Sequence, residues 1–185
     1  WRVYEKTDAS RRYVEAQYDS GIRRVDDGLK AFFAEAKKQG LLKNTIVVIT
    51  AEHGEELGER GFYFHRDIYN TGVHVPLAII LPHGRSRTVD TPVTLIDLAP
   101  TLTELAGIPR FEAGEGVSLV PALSGASLPE RTIYIEREPF NEYAVIEWPY
   151  KLIVRDATRG MYGVSSDDAN DFFRSLRKND VSLSD

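Results

Sequence analysis

Two apolar runs, "NTIVVIT" at 44–50 and "HVPLAIILP" at 74–82, restrict the possible folds more than any other feature of the sequence. Neither alternates polar with apolar, so each reads as a strand covered on both faces, the pattern of a parallel sheet. Upstream, Val14, Tyr18, Ile22, Val25, Leu29, Phe32, Phe33 and Ala36 recur at spacings of three and four. That period predicts a long amphipathic helix over 11–39, closed by Gly40 and packed on a face of the sheet. The segment between the runs, 51–73, is polar, Gly-rich and aromatic. It is too long for an ordinary connection, and such loops are usually functional or disordered.

Downstream, "TPVTLIDLAPTLTELAGI" at 91–108 predicts a helix with a proline interruption at Pro100 and a stop at Gly107. Asp97 and Pro100 belong to its start, where an acid meets the positive end of the helix. After the turn-rich "FEAGEGVSLVPALSGASLPE", the segments "TIYIE", "YAVIEW" and "YKLIVRD" read as short antiparallel strands. "DDANDFFRSLRK" predicts a terminal helix with Asp167 as its cap. The expected organisation is an α/β part over 1–127 and a small antiparallel β-rich subdomain over 128–185.

Charge excludes some partners. The chain carries 23 basic against 28 acidic residues, a net charge of −5, which argues against nucleic acid. No stretch reaches the roughly 18 apolar residues that a membrane helix needs. With no cysteine, neither a disulfide nor a thiolate-bound zinc can form. The chain opens "WRVYEKTDAS", without an initiator methionine, and is expected to begin inside a longer protein.

The first apolar run ends in "TAEHGEELGERG" at 50–61. Ligand sites of open α/β sheets gather at the carboxyl ends of strands. Glu52 and His53 stand just past such an end, and Gly54 can bend the chain so that both reach one centre. A carboxylate and an imidazole are both competent ligands for a divalent metal. The plainer alternative is a surface loop with incidental charge. Glu55, Glu56 and Glu59 could bind a second ion but read first as a solvated loop face, His74 reads as structural and His83 as a solvent-facing turn residue.

Taken together, "TAEHGEELGERG", "HRDIYNTGVHVPLAIILP", "TPVTLIDLAPTLTELAGIP" and "GVSLVPALSG" resemble the sulfatases of the alkaline phosphatase superfamily in order and spacing. The likeness covers nearly the whole chain. It implies part of an alkaline-phosphatase-like α/β/α sandwich with a largely parallel sheet. Glu52 falls where that family has a metal-binding aspartate, and His53 where it has the neighbouring Asn or His ligand. His65 falls near the lysine or histidine that contacts the anionic group being transferred, which makes it the candidate catalytic residue; Arg60 and Arg66 flank that position. The implied cofactor is a divalent metal, calcium or magnesium.

The family's nucleophile comes from a Cys/Ser-x-Pro-x-Arg motif in its N-terminal half. This chain has no cysteine, and "SGASLPER" carries its proline out of place. The resemblance therefore implies the C-terminal half of a sulfuric ester hydrolase, dependent on its missing N-terminal half. The substrate would be a small-molecule or carbohydrate sulfate ester, in a periplasmic or secreted setting. Two rivals remain open at this point. One is a phosphatase, phosphodiesterase or phosphoethanolamine transferase of the same superfamily, with zinc or manganese. The other is a non-catalytic binding domain on the same scaffold.

Overall fold

The computed structural model describes residues 7–61, 63–65, 68–84, 86–109, 114–137 and 142–155. They fall into two compact units, 1–85 and 86–185.

The first unit opens with α1, Asp8–Lys38. It starts earlier than the apolar period predicts because Thr7 caps it, its hydroxyl accepting the Ser10 N–H at 3.2 Å. The helix ends where Gly40 turns left-handed at φ 73°, a conformation that costs glycine little. Only the end of the apolar stripe is well covered. Ala36 is buried, while Ile22, Val25 and Phe32 are more than half exposed.

A 3-10 turn, Leu41–Asn44, leads into β1, Val47–Thr50. The second apolar run supplies β4, Leu77–Ile80. As expected, the two runs are adjacent in one sheet. Their direction is not as expected: Val47 lies opposite Ile80 and Thr50 opposite Leu77, an antiparallel register. An apolar run reports that a strand is covered and carries no information about its direction. The connection decides that. Parallel neighbours need a crossover, usually helical, whereas here the chain makes a hairpin of β2, Glu56–Leu57, and β3, Tyr63–Phe64, then one helical turn, α2, Asn70–Val73. All strand pairings among the described residues are antiparallel.

In the second unit Thr94 caps the turn Leu95–Asp97 through a capping box, and α3, Leu98–Leu105, follows. Pro100 sits in the first turn of α3, where its missing N–H has no helical partner to lose. Gly107, at φ 65°, ends the helix. Then come α4, Val120–Ser124, and an antiparallel meander of β5, Ile133–Arg137, β6, Glu142–Glu147, and β7, Tyr150–Arg155. The three strands match the segments expected from the sequence. Ala144 and Val145 on the central strand are among the most buried residues. The expected terminal helix with Asp167 lies outside the described residues.

Asp97 organises this unit. Fully buried, it accepts the backbone N–H of Thr94 at 2.9 Å and of Val117 at 3.0 Å. It also receives both terminal nitrogens of Arg131 in a two-pronged ion pair. Thr101, equally buried, donates to the Asp97 carbonyl at 2.5 Å and accepts the Leu119 N–H at 2.8 Å. The helix start, the segment before α4 and the residue leading into β5 are thereby tied to one carboxylate.

Candidate functional site

The site forms where β1 stops. Thr50 donates its hydroxyl to the Pro76 carbonyl at 2.8 Å, which keeps the end of β1 against the strand entering β4. Four residues on, the Gly54 N–H donates to the Gly72 carbonyl at 2.7 Å. The approach is so close that a Cβ on residue 54 would overlap the carbonyl oxygen of Thr71. Thr71 in turn donates its hydroxyl to Glu56, which is only 1% exposed. The loop after β1 is thus laced to the turn of α2. Glycine is required at 54 because the neighbouring backbone occupies the space a side chain would need.

That lacing gives a direct expectation. Gly54→Ala should push the 71–73 backbone away and lower stability by about 1–3 kcal/mol, the usual cost of overpacking. For a unit of this size that is a fall in Tm of several degrees, roughly 4–8 °C per kcal/mol. An unchanged melting curve would mean the two segments are not held together.

The hairpin then returns the chain to the same place. Glu56 lies opposite Phe64 and Leu57 opposite Tyr63, so Glu55, just before β2, and His65, just after β3, emerge together at the open end of the hairpin. Directly opposed side chains on one face are within contact distance, and diagonal neighbours are within reach of longer ones. His65 Nδ1 lies 3.3 Å from Glu55 Oε2. The His65 ring also stacks on that of His53, two residues before Glu55, with centroids 3.9 Å apart and planes 26° apart. Just before His65, Phe64 adopts φ 75°, a left-handed conformation uncommon for a bulky residue. Strain of that kind clusters where a side chain must be aimed.

Glu52 stands apart. It is 88% exposed, and its Oε1 lies 3.3 Å from His53 Nε2. The other ring nitrogen, Nδ1, lies 2.8 Å from the Gly54 carbonyl oxygen and must donate to it. A neutral His53 therefore turns the Nε2 lone pair toward a carboxylate. A proton, a water or a divalent cation between the two acceptors relieves their opposition. One ligand atom from each of His53, Glu55 and His65 also lies within 4.8 Å of the others. Glu52 and His53 offer one oxygen and one nitrogen donor, chemistry that suits a divalent ion, and the His53, Glu55 and His65 grouping is an alternative to that pair.

The sequence expectation placed Glu52 and His53 on a metal and His65 nearby. The structure brings His53 and His65 into contact and leaves Glu52 on the outer side of His53. Glu55, Glu56 and Glu59 are not the solvated loop face expected of them. Glu56 is buried, Glu59 accepts the Leu57 N–H at 2.6 Å, and Glu55, 21% exposed, faces His65. The available signal was the spacing. Two short β-prone pieces around a Gly-containing turn at 58–61 bring residues 55 and 65 together. His74 and His83 are exposed and take no part. Arg66 and the side chain of Arg60 lie outside the described residues.

Comparison with known proteins gives concordant likenesses. Residues 2–108 match the family profile described as Sulfatase, and residues 58–168 match the one described as N-sulphoglucosamine sulphohydrolase, C-terminal. Arylsulfatase K of Danio rerio is 32% identical over 123 residues, 66% of this chain and 24% of the relative. Choline-sulfatase of Rhizobium meliloti is 30% identical over 135 residues, 71% of this chain and 26% of the relative. The chain thus spans about a quarter of the length of these relatives. A phosphonate monoester hydrolase from Silicibacter pomeroyi has a similar fold, with TM-score 0.70 and 24% identity, over 95% of this chain and 42% of that one.

Proposed function

Because the chain belongs to the sulfatase family, within the alkaline phosphatase superfamily, we propose that it forms part of a metal-dependent sulfuric ester hydrolase. In this reading Glu52 and His53 hold a divalent ion and His65 serves the sulfate group. The carrying observation is the placement of His65 against His53 at the carboxyl end of β1. The β1–β4 pair would join the larger, largely parallel sheet of the intact domain.

Glu52 supplies a hard, charged oxygen, and His53, its Nδ1 engaged by the Gly54 carbonyl, presents Nε2. Calcium or magnesium suits the carboxylate; zinc or manganese suits the imidazole. When bound, the ion would offset charge on the ester oxygens and polarise the sulfur centre. His65, its Nδ1–H turned to Glu55, would in the doubly protonated imidazolium form donate Nε2–H to a sulfate oxygen or give that proton to the departing alcohol. The nucleophile would come from the N-terminal half, together with the remaining metal ligands.

The test is steady-state hydrolysis of an aryl sulfate. Full-length protein with divalent metal should turn over, while the 185-residue chain alone should not. Robust, metal-dependent hydrolysis by the chain alone would overturn this division of labour. Failure of the metal-loaded full-length protein on sulfate, phosphate and phosphonate esters alike would favour a non-catalytic scaffold.

One observation favours a second reading. Two imidazoles 3.9 Å apart make a nitrogen-rich site. Such a site suits the zinc or manganese of phosphoryl-ester enzymes in the same superfamily. Preference for a phosphate or phosphonate ester over the sulfate would decide for it.

A further inference from the structure

We propose that Glu55 is a positioning residue that sets the orientation of His65. The inference rests on the anion-contact role given above to His65. A carboxylate only accepts hydrogen bonds, so at 3.3 Å the His65 Nδ1–H donates to Glu55 Oε2. Stacking on His53 fixes the plane of the ring, and Glu55 fixes its rotation within that plane. Together they leave Nε2 as the nitrogen free to meet an anion.

Glu55 is built for this in a way that an incidental loop acid is not. It stands just before β2 and His65 just after β3, so the hairpin itself brings the two together. It is the less exposed partner, at 21% against 53% for His65, so the carboxylate is the anchor and the imidazole the part presented.

Glu55→Ala in the full-length protein should lower kcat for an aryl sulfate about 10–100-fold, the usual effect of removing the partner that orients a site histidine. Metal content and Tm should stay unchanged. Glu55→Gln keeps an accepting oxygen and should recover most of the loss. In a His65→Ala background, Glu55→Ala should cost nothing further, since both changes remove one function. Additive losses in that cycle, or loss of metal in Glu55→Ala, would overturn the proposal. A readout independent of turnover is the nitrogen-15 shift of the His65 ring. The Nδ1 resonance should carry the shift of a hydrogen-bonded N–H in the parent and in Glu55→Gln and lose it in Glu55→Ala; an unchanged resonance in Glu55→Ala would also overturn the proposal. If no ester is hydrolysed, the functional reading fails, and the nitrogen-15 measurement still decides the role of Glu55.

Discussion

Replacing Asp97 with alanine should destabilise the second unit by about 3–5 kcal/mol, the range for breaking a buried ion pair from one side. The carboxylate is fully buried and accepts from Thr94, Val117 and both terminal nitrogens of Arg131. Its loss leaves two backbone N–H groups and a mostly buried guanidinium without their acceptor. The penalty is the desolvation of those stranded donors, which exceeds the net worth of any single bond. Against a typical domain stability of roughly 5–15 kcal/mol, this brings the unit near its unfolding threshold. Chemical denaturation of the parent and of Asp97→Ala measures it, and a difference below about 1 kcal/mol would show the cluster to be dispensable.

The same residue gives stability a definite pH dependence. Burial by itself raises the Asp97 pKa. The Arg131 hydrogen bonds, the amides of Thr94 and Val117 and the Arg131 charge outweigh it and hold the group below the usual carboxylate range. A carboxyl depressed on folding stabilises fully above its unfolded value, about 3.9. That stabilisation is lost as pH falls through the lower folded value. The parent should therefore lose stability below about pH 4, and Asp97→Asn should lose less over the same interval because it has nothing to titrate there. Equal slopes for the two proteins would remove Asp97 from the acid transition.

Much of this architecture could be read from local patterns. The three-and-four period gave α1, Gly40 and Gly107 marked two helix ends, and alternation with turns gave the β5–β7 meander. Each of those is decided within a few residues by capping, backbone freedom or side-chain period. The direction of the β1–β4 pair was not legible, because it depends on how residues 51–76 fold back and not on the strands themselves. Asp97 was rightly placed at a helix start, but its pairing with Arg131, 34 residues on, leaves no local mark.

The candidate site divides in the same way. His53 followed from the end of an apolar run, and His65 from the family resemblance. Glu55 was passed over because charged loop residues are usually solvated. Only the hairpin register makes it a neighbour of His65. Glu52 stands beside His53 in space as in the sequence, and it lies on the exposed side.

That geometry separates two substitutions sharply. In full-length protein, Glu52→Gln should weaken divalent metal binding, because a neutral amide keeps the shape of the side chain and loses the charge that holds a hard cation. His65→Ala should leave metal content near the parent level and lower kcat about 10²–10⁴-fold, the range for a lost general acid or anion contact. His65 can be spared as a ligand because its Nδ1 is already turned to Glu55. Metal analysis by mass spectrometry alongside steady-state kinetics distinguishes the two. If His65→Ala strips the metal as thoroughly as Glu52→Gln does, His65 is itself a ligand. The nitrogen-rich, phosphoryl-ester reading of the site would then replace the sulfate-ester one.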